Sequence, residues 1–175
     1  MTTVFFDIDT QIDFLYPAGA LYVPGAERII PVIAELNRKA PLLISTMCAH
    51  AEDDPEFRIY PHHCVVGTVG QKKPAATMIE NQHIIEKQEL DCFTSPKLMP
   101  LLQRLNADRY VVYGVVTEIC VKLAAFGLLR TGKPVEIVTD AVRALNEADA
   151  QRMFTAFQAA GGRLTGVKQV LAEKP

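Results

Sequence analysis

A chain of 175 residues with 49% hydrophobic side chains is long enough to bury a core and a pocket, and a single domain over residues 1–175 is expected. The net charge of −2 offers no basic surface for nucleic acid or an anionic membrane. The apolar runs are of strand length, too short to span a membrane, and the first residues carry neither a basic region nor a cleavage site, so a cytoplasmic protein is expected.

In chain order, residues 4–8 read as a buried strand. Residues 26–39 follow Pro24 and Gly25 and place Ile29, Ile30, Ile33 and Leu36 at helical spacing, with Pro31 tolerated in the first turns. Residues 42–46 are a second strand. Residues 49–77 are polar, with Pro, His and Gly throughout, and a loop that long in a compact domain is usually functional. Residues 83–87 are a third strand. Residues 95–106 predict a helix with Ser95 as cap and Pro96 at its first position. Residues 110–115 are a fourth strand, followed by a helix over 118–131 that Gly132 and Pro134 end. A fifth strand at 135–139, a helix at 147–160, a short strand at 163–165 and a last helix at 167–173 complete the chain. Continuous apolar strands alternating with helices predict an α/β fold, three-layered and Rossmann-like, with a parallel sheet covered on both faces.

Ligands bind such sheets at the carboxyl ends of the strands. The polar residues there are Asp9, Thr46 to His50, Lys87, Thr117 to Cys120, and Asp140. With Thr117 as N-cap, Cys120 would occupy the third helical position, where free backbone N–H groups and the positive helix end favour a thiolate and could hold an oxyanion. By position alone Cys120 is equally a small core residue. Lys87 either snorkels to the surface or enters the pocket, where it would lower the thiol pKa. Asp9 either caps a turn or acts as general acid and base. His50 and His63, with Cys48 two residues before His50, form a set suited to zinc or another divalent metal, although His62 competes for the role and no fourth ligand is visible. The four cysteines are scattered and read as reduced thiols.

Four segments carry a further signal. Residues 8–14 (IDTQIDF), residues 61–68 (PHHCVVGT), the strand-end Lys87 and residues 114–121 (GVVTEICV) occur in this order. Together they resemble the isochorismatase-like cysteine hydrolases, a family that includes nicotinamidases. The resemblance implies a six-stranded parallel sheet and a catalytic triad on Asp9, Lys87 and Cys120. It implies hydrolysis of a small amide through a thioester, without an organic cofactor. It further implies an oxyanion site beside a non-proline cis peptide, which falls by position on Val116–Thr117. Phe14 is a candidate pocket wall. Cys48 stands where nicotinamidases carry an Asp, the Tyr-Ser that many place after the lysine strand is absent, and the chain has no tryptophan. Isochorismatase-type cleavage of a vinyl ether and a non-catalytic binding role are the alternatives within the family. The segment VFFDID also resembles the first motif of haloacid-dehalogenase-like phosphatases, which would use Asp7 and Asp9, but it leaves Cys120 unexplained. The hydrophobic content permits a homo-oligomer.

Overall fold

A computed structural model describes residues 1–172, so Glu173, the last residue of the final predicted helix, lies outside the described residues. Six parallel strands form one sheet: β1 (Thr3–Ile8), β2 (Leu42–Cys48), β3 (Gln82–Lys87), β4 (Arg109–Val115), β5 (Val135–Arg143) and β6 (Arg163–Thr165), in the spatial order β3-β2-β1-β4-β5-β6. β1 is central and buried along its whole length, which is why it reads as an unbroken apolar run around Asp7. The strand order reverses beside β1, so β1 and β4 open the crevice where such sheets bind ligands.

Among the described residues six helices connect and cover the sheet: the short α1 (Ile12–Leu15), then α2 (Ile30–Lys39), α3 (Leu98–Leu105), α4 (Lys122–Leu129), α5 (Glu147–Ala159) and α6 (Val167–Ala172). α2 packs against α6, and α4 against α5, so two helical groups cover the sheet. Asn146 caps α5 by accepting from Ala148 and Asp149 N–H at 3.0 and 3.2 Å. Ser95 is not the cap expected. Asp91 instead accepts from Phe93 N–H at 2.9 Å and opens a short 3₁₀ turn, Cys92–Thr94, and α3 begins only at Leu98. No helix among the described residues is long and apolar enough to cross a membrane.

Asp7 does not lie on an edge strand but one residue before the carboxyl end of the central strand β1. Its carboxylate is wholly enclosed. Oδ1 accepts from Thr10 Oγ1 at 2.6 Å. Oδ2 accepts from Asn37 Nδ2 at 2.9 Å, from Ser45 Oγ at 3.2 Å and from Lys73 Nζ at 2.8 Å. Four donors converge on it and it is fully buried, so no open face remains for a phosphate ester, which removes the phosphatase role of Asp7.

Candidate active site

The carboxyl ends of β1 to β4 meet around one small cleft. Asp9 follows β1 with its backbone in the left-handed region at φ +48°. Thr46 of β2 fixes it twice: Asp9 N–H donates to Thr46 O at 3.2 Å, and Thr46 Oγ1 donates to Asp9 Oδ1 at 2.6 Å. Lys87 ends β3 and turns inward rather than to the surface. Its Nζ lies 2.9 Å from Asp9 Oδ2 and 3.8 Å from Cys120 Sγ, and the Cys120 thiol also hydrogen-bonds Asp9. Three residues 33 or more positions apart in sequence thus share one buried contact.

Cys120 does not sit in the first turn of an α-helix. Thr117–Val121 form a π-helical turn ahead of α4, Val116 takes the cap position, and no side chain caps it. Val116 O accepts from the N–H groups of both Ile119 and Val121 at 3.1 Å, so those donors are engaged. The thiolate expected from a helix end is not the resting state. Burial pushes the Cys120 thiol well above its ordinary range; Lys87 pulls it down, and Asp9 pushes it up again. Burial opposes the Lys87 ammonium, but the adjoining Asp9 carboxylate favours it, and the balance holds Lys87 well above the usual lysine value. The resting site is a neutral thiol beside an aspartate–lysine ion pair.

The cis peptide falls at Val115–Val116, not at Val116–Thr117. The β4–β5 ladder shifts register between Val112 and Gly114, just before this bond. Gly114 is required there: its φ is +118°, and a Cβ would collide with the carbonyl oxygen of Ile8. Val116 lines the cleft, whereas Thr117 is buried and lines a neighbouring groove.

Phe14, Leu21, Tyr60, Leu90, Ile119 and Leu145 wall the cleft, with Asp9, Cys48, Glu56, His63 and Cys120 as its polar members. No arginine or lysine lines it among the described residues. The IDTQIDF segment explains how the long loop reaches this cleft. Gln11 pairs with the Cys48 peptide, accepting its N–H at 2.7 Å and donating to its carbonyl at 2.8 Å, and donates also to Gln71 O at 2.7 Å. Asp13 is not a cap for its own turn; it accepts from Cys64 N–H at 2.7 Å and Ala20 N–H at 3.1 Å. Phe14 packs on the His63 ring, with centroids 5.4 Å apart.

Cys48, His50 and His63 come together with their donor atoms within 4.8 Å of one another. His50 Nδ1 pairs with Asp54 Oδ2 at 2.9 Å, leaving a buried Nε2 with no hydrogen-bond partner. His63 Nδ1 donates to Pro61 O at 2.8 Å, which likewise frees Nε2. Burial lowers the His63 pKa and favours the neutral, ligating form. His62 instead stacks on Phe57, at 4.2 Å between centroids, and is exposed. Glu56 Oε1 approaches His63 Nε2 at 3.7 Å and groups with His50 and Asp54 as a second donor set. Burial pushes the Cys48 thiol up to about 12, and its Sγ lies 3.3 Å from Lys87 Nζ, so Cys48 borders both the donor set and the ion pair. An orphaned imidazole nitrogen, two oriented histidines and adjacent thiol and carboxylate donors fit a divalent metal.

A family model described as the isochorismatase domain matches residues 3–169. The nicotinamidase of Acinetobacter baylyi is 26% identical, over 79% of this chain and 80% of that protein. The pyrazinamidase of Pyrococcus horikoshii, solved in complex with zinc, superposes with a TM-score of 0.88 at 29% identity, covering 95% of this chain and 99% of the other. A protein of L. infantum solved in complex with nicotinate gives 0.89 at 26% identity, covering 95% and 93%.

Proposed function

Since the chain belongs to the isochorismatase family of hydrolases, we propose that it cleaves the C–N bond of a small neutral amide, with Cys120 as nucleophile, acting as a single domain. The observation that carries this reading is the pair of contacts made by Lys87 Nζ, 2.9 Å to Asp9 and 3.8 Å to Cys120, two residues that line the cleft.

A neutral resting thiol needs a base, and Asp9 is the one within reach. As the S–C bond forms, Asp9 takes the thiol proton. Negative charge collects on the carbonyl oxygen, for which backbone N–H groups around Val116 and Thr117 are the proposed donors. Asp9 then returns the proton to the nitrogen, the C–N bond breaks, and ammonia leaves a thioester on Cys120. Asp9 next takes a proton from water, the oxygen adds to the thioester, and the C–S bond breaks with reprotonation of the thiol. The Lys87 ammonium pairs with Asp9 at 2.9 Å and stabilises the negative charge that develops nearby.

The lining supports a neutral substrate. A cleft without arginine or lysine in its lining offers nothing to a dicarboxylate, and the nearby Lys87 is already paired to Asp9, which ranks isochorismatase-type cleavage lower. The nicotinamidase relative and the relative bound to nicotinate make nicotinamide the first candidate, with Phe14 as a wall for its ring. His50 and His63, with Cys48 and Glu56, would hold the metal, and thiol and imidazole donors favour zinc. When bound there, the metal supplies a Lewis acid that anchors a polar atom of the substrate.

Ammonia release from a panel headed by nicotinamide and pyrazinamide, with aliphatic amides behind them, tests the reaction. Turnover of at least one neutral amide is expected. Hydrolysis of a vinyl ether with none of any amide would overturn the reading. Elemental analysis should find zinc or another divalent ion on the purified protein, and full activity from a metal-empty protein would refute the metal assignment.

A further inference from the structure

Leu145 stands at the mouth of the cleft, 44% exposed. The other aliphatic walls, Leu21, Leu90 and Ile119, pack against the hydrophobic core and are held by it. Leu145 has no such support. It sits on the short connection between β5 and α5, and what fixes that connection is a side chain from the nucleophile's own turn. Glu118 Oε1 accepts from Leu145 N–H at 2.9 Å and from Asn146 N–H at 2.8 Å. Asn146 in turn caps α5, so the tie is anchored at both ends. Two N–H donors converging on one carboxylate oxygen form a short, charge-assisted clamp. Glu118 Oε2 is buried without a partner, so desolvation is tolerated here to keep the carboxylate against the loop.

We propose that Glu118 is a positioning residue that holds Leu145 as the outer wall of the substrate cleft, so that this tie sets how bulky an acyl group reaches Cys120. The proposal rests on the reading of Cys120 as the nucleophile that the substrate must reach. It makes Glu118 and Leu145 specificity determinants, although neither touches the reacting bond. Leu145 meets the part of the substrate beyond the amide, and Glu118 acts through it.

The test is alkylation of Cys120 by two reagents of the same chemistry and different bulk, iodoacetamide and iodoacetanilide, with the modified peptide quantified by mass spectrometry at one fixed pH. Glu118→Ala should speed the bulky reagent relative to the small one on the order of tenfold, the scale of a lost pocket contact. Leu145→Gly should give the same ratio, and the double variant no more than either. Glu118→Gln keeps an oxygen that can accept both N–H groups and should restore the original ratio. If Glu118→Ala fails to fold, Glu118→Asp, shorter by one methylene, carries the same expectation. An unchanged ratio in the Glu118 variants and in Leu145→Gly would overturn the proposal, as would an equal rise for both reagents, which marks an altered thiol rather than a wider opening. The labelling ratio does not depend on turnover. A changed ratio in a protein that hydrolyses no amide would therefore sink the amidase reading and leave the tie intact.

Discussion

Two buried aspartate–lysine pairs lie side by side in this protein, their acids two residues apart. Asp7 meets Lys73 at 2.8 Å and Asp9 meets Lys87 at 2.9 Å, all four side chains being almost fully enclosed. Their separations are nearly equal, yet their surroundings differ. Asp7 also accepts from Thr10, Asn37 and Ser45, and Lys73 also donates to Thr10, so fixed donors surround the carboxylate. Asp9 has one oxygen held by Thr46, while the other faces Lys87 and the Cys48 thiol, and the carboxylate also meets the Cys120 thiol. A buried ion pair is therefore no sign of function by itself. What separates the two is whether the second-nearest partners saturate the pair or can exchange a proton with it.

That contrast can be broken from either side. The largest effect is expected at the open pair. Lys87→Met should cut amide turnover by on the order of 10³–10⁴-fold, measured by ammonia release, because the acid–base partner loses its counter-ion. At the closed pair, Lys73→Met should leave kcat of the folded protein unchanged but cost roughly 3–5 kcal/mol by stranding Asp7, or about 6–20 °C in Tm for a chain of this size. Denaturant melts and kinetics of the two variants together decide it; the same loss of both properties in each would erase the distinction. A smaller effect is expected at the hydroxyl that orients Asp9: Thr46→Val should lower kcat/KM by about 10–100-fold, the worth of a hydrogen bond to a charged group. The mildest is a slope. Because burial raises the Cys120 thiol, its alkylation rate in the resting protein should climb about tenfold per pH unit and continue through pH 9 without levelling. A plateau near neutrality would show a thiolate at rest.

The same contrast marks what the sequence discloses. Asp9, Lys87 and Cys120 are legible because parallel strands present their carboxyl ends to one crevice, and polar residues after apolar runs stand out. His50 and His63 are legible as metal-suited residue types in a long loop. Glu56 and Asp54 are not, because that loop has no period to say which acids turn inward. Gln11 escapes for a different reason: its side chain imitates a strand partner for the Cys48 peptide, and no pattern announces such pairing. Among the elements, helical periodicity over residues 118–131 cannot separate a π-helical turn from the α-helix after it. The cis bond joins two valines, Val115 and Val116, and nothing in their residue types marks it. Asp7 and Lys73 are hidden from the sequence because their partners come from α2, β2 and the long loop.

The most direct test of the account is amide turnover in Cys120→Ala beside Cys48→Ala. Cys48 Sγ lies nearer to Lys87 Nζ, at 3.3 Å, than Cys120 Sγ does, at 3.8 Å, so distance to the lysine alone would choose the other thiol. Cys120→Ala should fold and release no ammonia, while Cys48→Ala should keep measurable turnover. Turnover retained in Cys120→Ala, or lost in Cys48→Ala with metal still bound, would contradict it.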